Sequence, residues 1–103
     1  MPRPVVWAAS ALTELEASIA FIAAENAAAA RRVLADIRTA ADRLGRRPIG
    51  RPGRVASTFE KTVVGRPYII AYAIDRDAEG KERVVILRVI HTAKHWPTGR
   101  WPV

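Results

Sequence analysis

Apolar residues in the first half of the chain recur at spacings of three and four, the period of a helix with one buried face. The first such stripe consists of Leu12, Leu15, Ile19 and Ile22 and predicts a helix from about Ala11 to Ala24. Ser10 is the predicted N-cap, because its hydroxyl can accept a hydrogen bond from a free amide of the first turn. A stripe of this kind is typical of core packing.

A second stripe predicts a second helix, ending at Gly45, a residue that tolerates the left-handed conformation common at helix ends. The members of this stripe are Ala30, Val33, Ile37, Ala40 or Ala41, and Leu44. Asn26 separates the helices and either ends the first or caps the second. Because the connection is short, the two helices are expected to form an antiparallel hairpin.

Beyond the second helix, the pattern changes to runs of β-branched and aliphatic residues, which favour strands. The predicted strands are Val55 to Val64, Tyr68 to Ile74 and Glu82 to Ile90, with a short strand at Pro4 to Ala8 before the helices. The predicted fold class is α+β: an N-terminal strand, an antiparallel helical hairpin, then a three-stranded antiparallel meander with the helices packed on one face. A chain of 103 residues is expected to form one domain.

Composition restricts the class of protein and the cell compartment in which it is expected. Half of the residues are hydrophobic, so the chain can bury a core, and the absence of cysteine excludes disulfides and thiolate metal sites. The first residues, M-P-R-P-V-V-W, lack the apolar core of a signal peptide, and no apolar run is long enough to span a bilayer. The expectation is a cytoplasmic protein without a membrane partner.

Positive charge is the strongest compositional signal. Seventeen Lys and Arg against ten Asp and Glu give a net charge of +7 and an isoelectric point near 11.0. This charge favours an anionic partner, either nucleic acid or an acidic protein, or an enzyme that handles nucleic acid. The alternative is an arginine-rich composition in which arginine replaces lysine on solvated faces.

The densest basic segment is the predicted loop from Arg46 to Arg54, which contains four arginines, two prolines and two glycines. Arginine's planar fork can engage a phosphate or a carboxylate at two points. The loop is therefore either an anion-binding or partner-binding element, or a solvated connector.

The last predicted strand delivers a second candidate cluster, in which Arg88 precedes His91, Lys94, His95 and Trp96. Arg88 and His91, together with Glu60 on the first strand of the meander, have the chemistry of a metal-independent RNA-cleaving site. Such a site needs a proton acceptor, a proton donor and a cation for the developing charge. The alternative is structural, with Arg88 paired to Glu60 or to a helix carboxylate. No acidic or cysteine ligand accompanies the histidines, so neither a metal site nor a cofactor is predicted.

The order of these elements and several local signatures resembles the RelE/ParE superfamily of toxins from type II toxin–antitoxin systems. The matching pieces are Trp7 and Ala8 before the first helix, G-R-P-G-R-V at 50–55, Thr58 with Glu60, P-Y-I-I-A-Y at 67–72, and I-L-R-V-I-H at 86–91 followed by W-P at 96–97. The arginine loop and the ending V-x-H-x-A-x-x-W-P are more similar to the ParE branch. Phe59 departs from that branch, where arginine is common.

The ParE resemblance implies a toxin that inhibits DNA gyrase by direct binding, not by catalysis. The contacts implied for this target are Arg51, Arg54, Arg88, His91, Lys94 and Trp96. The RelE branch implies instead a ribosome-dependent messenger RNA endoribonuclease that uses Glu60, Arg88 and His91, although no tyrosine follows Tyr72 as in its tyrosine-type sites. A third alternative is a module that has the fold and binds its antitoxin but lacks activity.

Each of these alternatives implies a cognate antitoxin. A strongly basic toxin suits an acidic, partly disordered antitoxin segment that folds on binding. This segment is expected at an exposed strand edge or in the groove beside the helical hairpin, and a higher-order toxin–antitoxin hetero-oligomer is a further expectation.

Overall fold

Two helices and five strands make up the part of the chain that the computed structural model describes, residues 2–48, 50–53 and 55–93. In chain order they are β1 (Val5–Trp7), α1 (Ala9–Ala23), α2 (Ala27–Arg46), β2 (Arg51–Pro52), β3 (Phe59–Thr62), β4 (Tyr68–Arg76) and β5 (Glu82–His91). None of the described helices is both long enough and apolar enough to cross a membrane. The predicted α+β class and the helical hairpin are confirmed.

The strands form one sheet with the order β1-β5-β4-β3-β2. The pairs from β2 to β5 are antiparallel, as the predicted meander requires, whereas β1 lies parallel to β5. Parallel neighbours need a long connection between them, and here the helices and the other strands supply it. The N-terminal strand therefore joins the last strand of the chain.

The hydrophobic core lies between the helices and one face of the sheet. Its fully buried members include Ile37 and Leu44 from α2, Ile70 and Tyr72 from β4, and Ile86 from β5. Since side chains alternate between the faces of a strand, Ala71 points away from the helices and packs against Ile90 instead. The buried apolar residues on the two sides of the sheet therefore form two separate clusters.

The predicted N-cap at Ser10 is wrong, because α1 begins at Ala9 and Ser10 lies inside the helix. The N-cap position is Ala8, whose side chain makes no capping hydrogen bond and whose amide donates to the Ile86 carbonyl at 2.9 Å. The Ser10 hydroxyl donates to the Leu87 carbonyl at 2.8 Å. Tertiary contacts with β5 thus replace the local cap.

Asn26 caps α2, since its side-chain oxygen accepts a hydrogen bond from the Ala29 amide at 2.9 Å. The predicted role of Gly45 is wrong, because α2 continues through it to Arg46. The Gly45 carbonyl accepts the Arg3 amide at 2.7 Å, and a Cβ at this glycine would lie 2.5 Å from the Arg3 carbonyl oxygen. Glycine here permits the N-terminal segment to approach the helix.

The segment before β3 differs most from the prediction. Residues 55–58 form a turn instead of strand, with Thr58 bonded to the Val55 carbonyl through both its amide and its hydroxyl. Two residues of the predicted arginine loop, Arg51 and Pro52, form the edge strand β2 and pair with β3. The meander therefore gains a short fourth strand, and part of the arginine loop is held against the sheet.

Candidate functional site

Arg88 makes a two-point ion pair with a carboxylate of the first helix. Its Nε and Nη2 atoms donate to the two carboxylate oxygens of Glu14 on α1, at 2.9 and 2.7 Å. The two side chains are 20% and 22% exposed. The hydrogen bond to Glu14 raises the pKa of Arg88, so the guanidinium stays charged. Of the structural partners considered for Arg88, a helix carboxylate is confirmed.

Glu14 also closes an open edge of the sheet. Strand β1 ends at Trp7, opposite Ile86, and no strand of the described residues lies beside the rest of β5 on that side. The Val89 amide donates to Glu14 Oε1 at 3.1 Å, and Ser10 binds the carbonyl of Leu87. Side chains of α1 thus satisfy backbone groups that would otherwise offer a template for another strand.

His91 ends β5 opposite Tyr68, and the two rings meet edge-on with centroids 5.2 Å apart. Its Nδ1 accepts a hydrogen bond from the Ala93 amide at 3.1 Å. Because Tyr68 belongs to the core beneath the helices, His91 lies on the helix side of the sheet.

Glu60 lies on the other side. It is 2% exposed, and its neighbour Phe59 packs on the helix-side core, so the Glu60 side chain points away from the helices. Arg51 is its register partner on β2, with 3.4 Å between Nη2 and Oε1. A Cβ at Gly50 would lie 2.7 Å from the Glu60 carbonyl oxygen, so glycine is needed for β2 to lie this close.

The three residues of the candidate RNA-cleaving set are placed differently from what concerted acid–base chemistry needs. Glu60 and Arg88 are both in register with Ala71, but the guanidinium of Arg88 turns to Glu14 on the helix side. Glu60 and His91 lie on opposite faces of the sheet. The structure does not bring this proton donor and acceptor together.

Of the predicted target contacts, Arg51, Arg88 and His91 are described, whereas Arg54, Lys94 and Trp96 lie outside the described residues. The side chain of Arg51 is 56% exposed despite its contact with Glu60. Within the described ranges, no group of three or more His, Asp or Glu residues has the arrangement of a metal site.

The helical hairpin carries an apolar groove that the stripes alone did not reveal. The groove has a volume of about 450 Å³ and lies between Trp7 of β1 and the two helices. Its apolar walls are Trp7, Leu12, Leu15, Ile19 and Leu34, and its charged members are Glu16 and Arg38. Leu12, predicted as a core residue, is 42% exposed here. The sequence feature that indicated this groove was Trp7, a tryptophan that precedes the first apolar stripe.

Together these features define an α+β domain in which a helical hairpin covers one face of a mixed sheet and leaves an apolar groove on its own surface. Residues 5–96 match the family model described as the ParE toxin of the type II toxin–antitoxin system, parDE. The chain therefore belongs to the ParE toxin family.

Two known proteins are similar to the chain along most of its length. A curated protein of Sinorhizobium fredii (strain NBRC 101917 / NGR234), "Putative toxin Y4kP", is 44% identical over 96 residues, covering 92% of this chain and 94% of its own. A solved structure titled "Chromosomal ParDE TA system from P. aeruginosa" matches the fold with a TM-score of 0.76 at 20% identity. This structural match covers 86% of this chain and 95% of the matched chain.

Proposed function

We propose that this toxin of the ParE family inhibits DNA gyrase by direct binding in the cytoplasm and is neutralised by a cognate antitoxin. The observation that carries the proposal is the family match over residues 5–96. The separation of Glu60 from His91 supports binding over RNA cleavage, because the two groups cannot act on one phosphodiester from opposite faces of a sheet.

The proposed target surface combines the arginine loop with the end of β5. Its members are Arg51, Arg54, Arg88, His91, Lys94 and Trp96. Arg51 supports this role best, because more than half of its side chain is exposed while Glu60 holds it in place. A held arginine loses less side-chain entropy on binding than a free one.

The groove of the helical hairpin is the proposed antitoxin site. An amphipathic segment can bury its apolar side chains against Trp7 and Leu12, and Glu16 and Arg38 offer one charge of each sign for orientation. The open edge of β5 is less suited to this role, because Ser10 and Glu14 already occupy it.

The target is tested with the purified protein in two assays, supercoiling by DNA gyrase and messenger RNA cleavage in a translating extract. We expect supercoiling to be inhibited while RNA stays intact. Arg51→Gln should weaken inhibition, whereas Arg76→Gln, which removes the same charge from the exposed end of β4, should not. Codon-positioned RNA cleavage without an effect on supercoiling would favour the endoribonuclease alternative. No effect in either assay would favour a module that has the fold but lacks activity.

The antitoxin site is tested by co-purification with the antitoxin encoded beside the toxin gene. Leu12→Glu places a charge in the groove and should abolish co-purification. Thr13→Glu adds the same charge at the next exposed position of α1, which does not line the groove, and should leave binding intact. Equal binding by both variants would exclude the groove as the antitoxin site.

A further inference from the structure

A second groove lies on the opposite side of α2 from the hairpin groove, between the end of this helix and the chain around β3. Its volume is about 360 Å³. Arg43 lines it from the last turn of α2, and Arg47 lines it from the extended position directly after the helix. Lys61 lines it from β3, where it is half-buried on the helix side of the sheet.

The groove has an excess of positive charge. The one carboxylate among its described lining residues, Asp36, is already paired with Arg66, at 2.8 Å between Oδ2 and Nε. Among the residues that the structure describes, no carboxylate lies within ion-pair distance of Arg43, Arg47 or Lys61. Within the described part of the chain, Arg43, Arg47 and Lys61 therefore line the groove without an ion-pair partner of their own.

The rest of the lining distinguishes between anionic ligands. Leu44 and Val63 form part of the wall, and Val64 stands 85% exposed beside them. A nucleic-acid backbone would engage the cations but would bury little aliphatic surface. A peptide with both carboxylates and aliphatic side chains would use the cations and the apolar wall together.

We propose that this cationic groove binds an acidic, aliphatic peptide segment of the antitoxin, as a docking site separate from the hairpin groove. The proposal rests on the antitoxin binding proposed above. Because the two grooves lie on opposite sides of α2, a chain occupying both would cross or wrap around that helix. The acidic segment would also accelerate association through long-range attraction, an effect that added salt weakens.

The test uses the full-length protein and three defined probes of about ten units each: a peptide alternating Glu and Leu, the same peptide with Gln for Glu, and oligo(dT). We expect the Glu–Leu peptide to bind and the other two probes not to bind. In nuclear magnetic resonance spectra, its binding should shift the amide signals of Thr39, Arg43 and Thr62 and leave those outside the groove unchanged. Oligo(dT) binding at the same amides, with equal affinity, would overturn the proposal in favour of a nucleic-acid site.

Variants separate a specific groove from general attraction. Removing Arg43 and Lys61 together (Arg43→Gln with Lys61→Gln) should raise the Kd of the Glu–Leu peptide at least about fivefold, since each charge contact in a solvated groove contributes a modest share. The matched control, Arg31→Gln with Arg32→Gln, removes the same charge from exposed positions that line neither groove and should change Kd by less than about twofold. An equal effect of both pairs would overturn the proposal.

Val64→Glu supplies a variant that leaves the core untouched, because this side chain is 85% exposed. A negative charge on the rim should weaken binding of the Glu–Leu peptide as strongly as the loss of Arg43 and Lys61 does. An unchanged Kd would contradict the proposal. These measurements involve neither gyrase nor the hairpin groove. A negative result in these binding measurements would therefore not contradict the proposed function. Likewise, a negative result in the Leu12→Glu test would not contradict peptide binding in this groove.

Discussion

Glu14 and Arg88 join the first helix to the last strand through two parallel hydrogen bonds of 2.9 and 2.7 Å. The same carboxylate accepts the Val89 amide, so one side chain both neutralises the arginine and closes the sheet edge. This arrangement explains how an arginine is held within the apolar run of β5, between the buried Ile86 and Val89. It also orients α1, and with it the wall of the hairpin groove.

Glu14→Ala should lower the free energy of unfolding by about 2 kcal/mol, because a partly buried charged pair and a backbone hydrogen bond are lost together. The measurement is urea denaturation of the two proteins under the same conditions. Glu16→Ala, on the exposed side of the same helix, is the control and should change stability by less than about 0.5 kcal/mol.

Arg88→Ala completes a double-mutant cycle with Glu14→Ala. We expect a coupling free energy of about 1 kcal/mol or more, since the two side chains are in direct contact. Additive effects of the two substitutions would show that the pair contributes geometry but no net stability.

The architecture could be predicted because it depends on long, regular patterns. The two apolar stripes and the runs of β-branched residues lie in unbroken segments, and the helices and the strands β4 and β5 follow them closely. Strand β2 could not be predicted in this way. Arg51 and Pro52 have no strand pattern of their own and are extended because β3 pairs with them. The flanking Gly50 and Gly53 allow this pairing, since a Cβ at either position would contact β3 or the turn before it.

The candidate site was less accessible to sequence reasoning because it depends on contacts between distant residues. Glu14 and Arg88 are 74 positions apart, so the sequence indicated a helix carboxylate without identifying which one. Likewise, nothing near Ser10 or Gly45 signals that β5 and the N-terminal segment approach these two residues. Both were interpreted through local capping rules, and tertiary contacts override those rules here.

Gly45→Ala should destabilise the protein even though alanine is the better helix former. The added Cβ would lie 2.5 Å from the Arg3 carbonyl oxygen and 2.9 Å from Val5 Cγ2, so the N-terminal segment must move. We expect a loss of about 1–3 kcal/mol, the usual cost of overpacking, measured by denaturant unfolding. The reciprocal control, Ala35→Gly on the exposed side of α2, should cost about 1 kcal/mol from propensity alone. A stabilising Gly45→Ala would show that the N-terminal segment is not held against the helix.

Tyr72 should make the protein sensitive to alkali. Burial raises the pKa of the Tyr72 hydroxyl above its ordinary value of 10.0, so the folded protein keeps this proton at a pH where the unfolded chain loses it. Stability is therefore unaffected by this group below the unfolded pKa and falls as the pH rises from there through the folded pKa.

Tyr72→Phe removes that titration, and its free energy of unfolding should decline less steeply than that of the unchanged protein above about pH 10. Comparing slopes, instead of absolute stabilities, separates the titration from any hydrogen bond that the hydroxyl makes. Parallel slopes for the two proteins would show that Tyr72 does not set the alkaline limit.

His91→Ala distinguishes the two activities proposed for the end of β5. The substitution removes the edge-on contact with Tyr68 and the acceptor for the Ala93 amide, but it leaves the pair of Glu14 and Arg88 intact. If His91 only shapes a binding surface, toxicity on induction should be reduced and not abolished, with supercoiling inhibition weakened to a similar degree. A catalytic role would instead abolish toxicity, because removal of a general acid or base typically slows a reaction about 10²–10⁴-fold. The discriminating measurement is growth after induction, with the amount of folded protein verified for each variant and Thr92→Ala, at the next exposed position, as the control.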